Sequence, residues 1–328
     1  MTRPVERPTL HGGPDAQGIP RWDFSTNANA CGPAPHAWEA VLKADRTRYP
    51  DPSAAALRER LGALHGVCAD RIVVAASASE FIGRMTAAVH QRAPAASVFA
   101  PSPGYGDYAR AARQWRLRAL GAAGDATLVW ATEPASPTGR TERIPTVRPD
   151  AVLVVDEAYA PLRLEGTAPT VPPHAWRLLS PNKALGMTGV RAAYAVAPVD
   201  ADELAQALVA LAPSWPLGAD GVALLTAWSA AETPAWLAAS REQLSAWKSQ
   251  QLALCASLGW ACEPSVTPFF VARWPGSEAP AALLPMLRTH GVKLRDTTDM
   301  GLPGAVRVSV QPPEAQAALR AAWRAVTA

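Results

Sequence analysis

The stretch Val152-Leu153-Val154-Val155 is apolar without a gap and is followed at once by Asp156-Glu157. A run of this length with no polar position predicts a strand buried on both faces, as in a parallel sheet. Further strands are predicted at Arg71-Ile72-Val73-Val74, Ala96 to Ala100, Ala126 to Thr132 and Ala192 to Val196. Helical patterns lie between and after them: an amphipathic one over Ser53 to His65, one running through Arg84-Met85, and one over Ala201 to Leu211. Strands alternating with helices in this way imply an α/β fold around a mostly parallel sheet. The last third reads differently. Two long helical patterns, Gly221 to Ala230 and Pro234 to Leu258, precede three strands at Phe269–Arg273, Val292–Arg295 and Val306–Val310, and a helix closes the chain from Pro313 to about Val326. Residues 1 to 20 are polar and turn-rich, an arm without a core of its own. The Ala212–Gly218 stretch, with Pro213 and Pro216, is the best linker candidate. The expected organisation is an arm over 1–40 joined to the small domain, a large domain over 41–214 and a C-terminal small domain over 215–328.

Composition narrows the class of protein. The chain has 328 residues, 49% hydrophobic and 18% charged, in the range of a soluble globular enzyme large enough for more than one lobe. A net charge of +3 with no basic run gives no case for nucleic-acid binding. The longest apolar runs fall short of a membrane span and no signal peptide opens the chain. Cys31, Cys68, Cys255 and Cys262 show no CxxC spacing, so free thiols, a cytoplasmic location and no metal are expected. There is no internal repeat.

Candidate chemistry centres on Ser180-Pro181-Asn182-Lys183-Ala184-Leu185-Gly186-Met187-Thr188-Gly189-Val190-Arg191. One lysine stands among small residues, and lysine is the side chain that forms a Schiff base with a carbonyl. Ser180 and Arg191 flank it as phosphate ligands, one by hydrogen bond and one by charge. Gly186 and Gly189 let the backbone pass close to a bulky group. Together these describe a pocket for pyridoxal 5'-phosphate (PLP). That cofactor also needs a carboxylate against its pyridine nitrogen, and Asp156 sits where a parallel strand would deliver one. Tyr159, three residues on, is placed to donate to the cofactor phenolate. Before the helix through Arg84, the small residues Ala75-Ala76-Ser77-Ala78-Ser79 precede a helix N-terminus, which binds anions through free N–H groups and its dipole.

These residues, in this order and spacing, resemble the fold-type I PLP enzymes, class I/II aminotransferases, and most of all the branch holding histidinol-phosphate aminotransferase and L-threonine-O-3-phosphate decarboxylase. The resemblance runs from His11 to the C-terminal helix. It implies a three-layer α/β/α fold with a smaller α+β domain, and PLP on Lys183 with Asp156 at the ring nitrogen. It implies Tyr105 stacked on the ring, and phosphate held by Ala78, Ser79, Ser180 and Arg191. Tyr49, in Arg48-Tyr49-Pro50, resembles a tyrosine that crosses to the neighbouring subunit's cofactor phosphate, which implies a homodimer with composite sites. Arg307 resembles the arginine that takes a substrate α-carboxylate. Asn27, in the Asn27-x-Asn29-x-x-Gly32-Pro33 segment, resembles a residue reaching the substrate, although asparagines there also make Asx-turns. His11 and Arg295 resemble the decarboxylase residues near a substrate phosphate.

The chain departs from the family at four places, the first being Ser77, where the family's Gly-x-x-Glu phosphate cradle usually has glycine. Ser136 stands where the family's Asn-Pro-x-Asn-Pro-Thr-Gly pattern has its second asparagine, and a serine lacks the amide pair that bonds the phenolate. Gln311 falls where the decarboxylase has another arginine. Thr267-Pro268-Phe269 replaces the usual Ala-Asn-aromatic. The resemblance favours amino transfer between an amino acid, phosphorylated or not, and a 2-oxo acid. Decarboxylation of threonine phosphate, and PLP binding without turnover, stay open as alternatives.

Overall fold

The computed structural model describes residues 12–276 and 280–327. His11 therefore lies outside the described residues. A seven-stranded sheet forms the centre, in the spatial order Ile72–Ala75, Ala193–Val196, Trp176–Leu179, Val152–Asp156, Leu128–Thr132, Ser97–Phe99 and Arg118–Ala119. The run from Trp176–Leu179 to Arg118–Ala119 is parallel throughout. Ala193–Val196 is antiparallel to both its neighbours. The strand Trp176–Leu179, with Arg177 in its middle, carries no gapless apolar run and was not legible as a strand.

The gapless apolar strands are apolar because both sheet faces are covered. Alternate side chains point to opposite faces. Val73 and Val154 meet Phe81, Met85, Leu204 and Leu208 from helices Ala78–Arg92 and Asp202–Ala210 on one side. Ile72, Val74 and Tyr194 meet Leu57, Leu61 and Leu224 from helices Ala55–His65 and Ala219–Trp228 on the other. Leu153 and Val155 join a separate apolar cluster with Val129 and Ala175. The result is the expected three-layer α/β/α arrangement.

The smaller lobe is a four-stranded antiparallel sheet in the order Arg295–Asp296, Val306–Ser309, Phe269–Arg273, Ala261–Cys262. Its core gathers Phe270, Val306, Val308, Trp260, Trp274 and Trp323 under helices Glu232–Ser257, Pro280–Thr289 and Pro313–Thr327. The N-terminal arm enters this lobe. Trp22–Asp23 pairs in parallel with Val292–Lys293, and the Ser309 amide donates to the Phe24 carbonyl at 2.9 Å.

The stretch Val292–Arg295 is two strands in two sheets, not the single strand its alternation suggests. Val292–Lys293 takes the arm as partner, whereas Arg295–Asp296 takes Val306–Arg307. Alternation sets which side chains face the core, and it says nothing about which distant strand supplies the hydrogen bonds. Among the described residues no helix is long and apolar enough to cross a membrane.

Candidate active site

The parallel strands end at one edge, where open α/β sheets place their ligands. Asp156 closes the strand Val152–Asp156 and is 4% exposed. Its Oδ2 accepts from the Tyr108 hydroxyl at 2.7 Å, and its Oδ1 from the Ala158 amide at 3.0 Å. Burial raises the pKa of this carboxyl, while Tyr108, the Ala158 amide and the charge of Lys183 pull it back down. A buried carboxylate with that balance is suited to a cationic partner.

Lys183 lies in the turn after the strand Trp176–Leu179, with its Nζ 5.6 Å from the centroid of the Tyr159 ring. The turn is stitched to the Asn27–Pro33 segment. The Asn29 amide donates to the Lys183 carbonyl at 2.9 Å, and Asn29 Nδ2 to the Ala184 carbonyl at 3.1 Å. Gly186 has φ +70°, and a Cβ there would collide with the Gly32 carbonyl. Glycine is thus required both by the left-handed backbone and by the close approach.

The helix Ala78–Arg92 opens with a reciprocal cap. Ser77 Oγ accepts from the Glu80 amide at 3.1 Å, and Glu80 Oε2 accepts from the Ala76 amide at 3.2 Å. The first-turn amides of Ala78 and Ser79 have no intrahelical acceptor and point out of the helix end. Ser79 Oγ bonds the Tyr105 hydroxyl at 3.0 Å. Tyr105 meets Tyr108 edge-on, ring centroids 5.7 Å apart, and burial, with Asp107 nearby, raises its pKa.

Arg307 is 7% exposed, donates from Nη2 to the Ser25 carbonyl at 3.0 Å, and has its guanidinium 5.8 Å from the Phe269 ring centroid. Burial lowers its pKa from a very high starting value. Asn27 is 2% exposed and donates from Nδ2 to the Tyr159 hydroxyl at 3.3 Å.

These side chains line one cavity of about 510 Å³. Of the residues singled out in the sequence, the cavity gathers Asn27, Ala78, Ser79, Tyr105, Ser136, Asp156, Tyr159, Ser180, Lys183, Arg191, Arg295 and Arg307. Tyr49 is not among them. It is 78% exposed, with its ring stacked on Trp215 at 4.3 Å. Arg295 comes to the cavity already paired, donating from Nη2 to both oxygens of Asp299 at 2.9 and 2.8 Å. Gln311 turns into a polar knot, bonding Ser309 Oγ and accepting from Gln316, and does not line the cavity.

Tyr108, Asn182, Arg110 and Asp299 line the site but escaped the sequence reading. Tyr108 stands three positions after Tyr105, the first turn of helix Gly106–Gln114 bringing it back beneath that ring, and Asp299 stands four after Arg295. Those spacings were the available signals.

The donor set fits the PLP that the resemblance implies. Buried polar atoms without a protein partner cluster here: Ser180 Oγ, Asn27 Oδ1, Asn182 Oδ1 and Arg307 Nε. Buried polar groups are normally satisfied, so such a cluster marks a place built for a polar ligand. The helix N-terminus with Ser79, Ser180 and Arg191 matches a phosphate, Asp156 a protonated ring nitrogen, and Lys183 an aldehyde. A lysine and a buried carboxylate facing one cavity, beside an anion-binding helix end, define an α/β enzyme of the PLP type.

The chain belongs to the class I and II aminotransferase family, whose profile matches residues 117–323. It is 27% identical over 301 residues to histidinol-phosphate aminotransferase 2 of Burkholderia mallei, covering 83% of each chain. Among solved structures it is similar to L-threonine-O-3-phosphate decarboxylase from Porphyromonas gingivalis, with a TM-score of 0.78 and 20% identity over 93% of this chain and 98% of that one. Histidinol-phosphate aminotransferase from Sinorhizobium meliloti, solved with PLP, gives a TM-score of 0.75 and 21% identity over 92% of this chain and 89% of that one. At these identities the two structures speak to the fold.

Proposed function

We propose that this protein transfers an amino group between an amino acid and a 2-oxo acid, with PLP as cofactor. The observation that carries the reading is the meeting of Lys183 and the buried Asp156 on one cavity that also holds Arg307. PLP supplies a reactive aldehyde and an electron-withdrawing ring. Asp156 keeps positive charge at the ring nitrogen through its carboxylate, oriented by Tyr108 and the Ala158 amide. Arg307 takes the substrate α-carboxylate, for which its unpartnered Nε is available. Lys183 takes and returns the proton at the substrate Cα. Asn27 and Tyr159 form a hydrogen-bonded pair beside the lysine that orients the substrate and the cofactor phenolate. The named relatives act on phosphorylated compounds, so the substrate panel includes phosphorylated amino compounds beside their parents; the resemblance would give Arg295 and His11 to a distal phosphate, but Arg295 is already paired with Asp299.

The working form on this reading is a cytoplasmic homodimer with composite sites, in which Tyr49 reaches the partner's cofactor phosphate. Support comes from the exposure of Tyr49, its position outside its own cavity and its ring held flat on Trp215.

The test is a spectral screen of purified protein with amino acids and phosphoamino acids, with keto-acid and CO2 release measured in parallel. A visible absorption band that borohydride bleaches, lost in Lys183→Ala, with keto acid formed and no CO2, is the expected result. CO2 release would assign the decarboxylase instead. A band shift with no product would leave a binding protein, and a colourless protein that takes up no PLP would overturn the reading.

A further inference from the structure

Arg295 and Arg307 stand opposite one another in register on adjacent antiparallel strands. Both guanidinium groups line the cavity, at 6% and 7% exposure. Their bonding differs. Arg307 donates to a backbone carbonyl and keeps Nε without a partner. Arg295 spends Nη2 on both oxygens of Asp299 and Nη1 on the Asp296 carbonyl at 2.6 Å. Its positive charge is therefore met by a carboxylate on the same wall. Arg110, also on the cavity, is matched in the same way by Asp107 at 3.0 Å.

The turn that carries Asp299 is fixed on both sides of it. Thr297 Oγ1 donates to the carbonyls of Leu302 and Ala305 at 2.8 Å each, and the Met300 amide donates to the Thr297 carbonyl at 3.0 Å. From the large lobe, the Gly104 amide donates to the Met300 carbonyl at 3.1 Å. Gly301 has φ +89°, and a Cβ there would come within 3.2 Å of Ser102 Oγ. The backbone that carries Asp299 is thus fixed from two lobes at the cavity wall, and Arg295 holds the carboxylate itself.

We propose that Asp299 is a specificity-determining residue, which sets this wall against substrate side chains ending in phosphate or carboxylate and in favour of ones ending in a hydrogen-bond donor. The inference rests on the amino-transfer reading above. An anion that approaches Arg295 has to take the guanidinium from Asp299, and it leaves Asp299 unpaired beside a second negative charge. Discrimination then comes from a repulsive element built into the site. A hydroxyl, amide or ammonium group meets an acceptor already in position. Arg307 keeps its free Nε for the α-carboxylate, so one anion is read and a second is resisted.

The experiment compares wild type, Asp299→Asn, Asp299→Ala and the double variant Asp299→Ala/Arg295→Gln on pairs that differ only by phosphate. The pairs are threonine with O-phosphothreonine, and serine with O-phosphoserine. Two ratios of phosphorylated to parent compound are measured: kcat/KM, and affinity by calorimetry, which needs no turnover. PLP content and thermal melts are recorded for each protein. In both single variants the ratio should rise roughly ten- to a hundredfold, the range of one charge-assisted hydrogen bond gained. It should fall back in the double variant, where no cation remains to receive the phosphate. A ratio that stays level or falls in both folded single variants overturns the proposal, and so does a wild type that favours the phosphorylated member more than tenfold. A wild type that takes up no PLP would instead sink the amino-transfer reading, while the calorimetric ratio would still decide the role of Asp299.

Discussion

Tyr108 shows how much of this site depends on one side chain. It is fully buried, stacks on Trp130 with centroids 5.0 Å apart, and donates its hydroxyl to Asp156. Burial, with Asp156 alongside, holds its own pKa well above the usual phenol range, so it stays a donor. Tyr108→Phe leaves one buried oxygen of Asp156 without that donor. The loss at neutral pH is expected to be about 1.5–3 kcal/mol, read from the denaturant midpoint of the PLP-free protein. The sign of its pH dependence follows from the raised carboxyl pKa. The folded state binds a proton at higher pH than the unfolded chain does, so acidification through that range favours the fold as far as Asp156 is concerned. The destabilisation caused by Tyr108→Phe should accordingly shrink as pH falls and the carboxyl becomes neutral.

At the scale of elements, the arm is a strap tied to the small lobe. Asp15 receives Arg288 through Nε and Nη2 at 3.1 and 3.0 Å, and pairs with Lys293 at 3.0 Å. Lys293 also donates to the Gly13 carbonyl at 2.5 Å, and the Gly13 amide donates to Ser25 Oγ at 2.9 Å. Ser25 in turn supplies the carbonyl that Arg307 holds. Gly12 and Gly13 line the cavity, and a Cβ on Gly12 would collide with the Ser25 carbonyl. The ion pairs thus position both the arm and Arg307, the arginine proposed to take the α-carboxylate. Asp15→Ala should raise KM for amino substrates several-fold with a smaller change in kcat, and Asp15→Glu should recover part of the loss. Steady-state kinetics decide it; equal falls in kcat and kcat/KM with KM unchanged would contradict the strap. Arg288 and Lys293 hold the Asp15 carboxyl well below the usual carboxylate range. The tie is therefore present above that range and weakens only as pH falls through it.

For the whole molecule, the exposed apolar side chains Trp38, Leu42, Tyr49 and Trp215 belong to, or pack beside, the helices covering one face of the large sheet. On the homodimer reading this face meets its copy. Complementation tests it. A Lys183→Ala chain and a Tyr49→Ala chain each spoil their own pair of sites in a different way. In a mixed dimer one site combines an intact Lys183 with the partner's intact Tyr49. Subunit exchange should restore activity beyond the sum of the two separate preparations, up to about a quarter of wild-type sites. Activity that only averages the two would argue against shared sites.

Sequence alone determined the strands whose apolar run has no gap, because a strand covered on both faces admits a polar residue only where a partner meets it. Val152–Asp156 is the clearest, and Asp156 was legible as the polar residue that ends it. Lys183 was legible through its pairing with Asp156 and its flanking Ser180 and Arg191, not from its own stretch alone, and Gly186 proved to need both its left-handed backbone and its missing Cβ. Arg307 and Arg295 were legible as cavity cations only through resemblance. Tertiary structure alone decided what those cations have for partners. Arg295 and Arg307 look alike as strand arginines, yet one meets the carboxylate of Asp299 and the other a backbone carbonyl of the arm. The division of Val292–Asp296 between two sheets was decided the same way, by partners at Trp22 and Arg307 that are remote in the chain. Local pattern reports which positions must leave water; which groups then satisfy the buried polar atoms depends on contacts that only the closed fold brings within hydrogen-bonding distance.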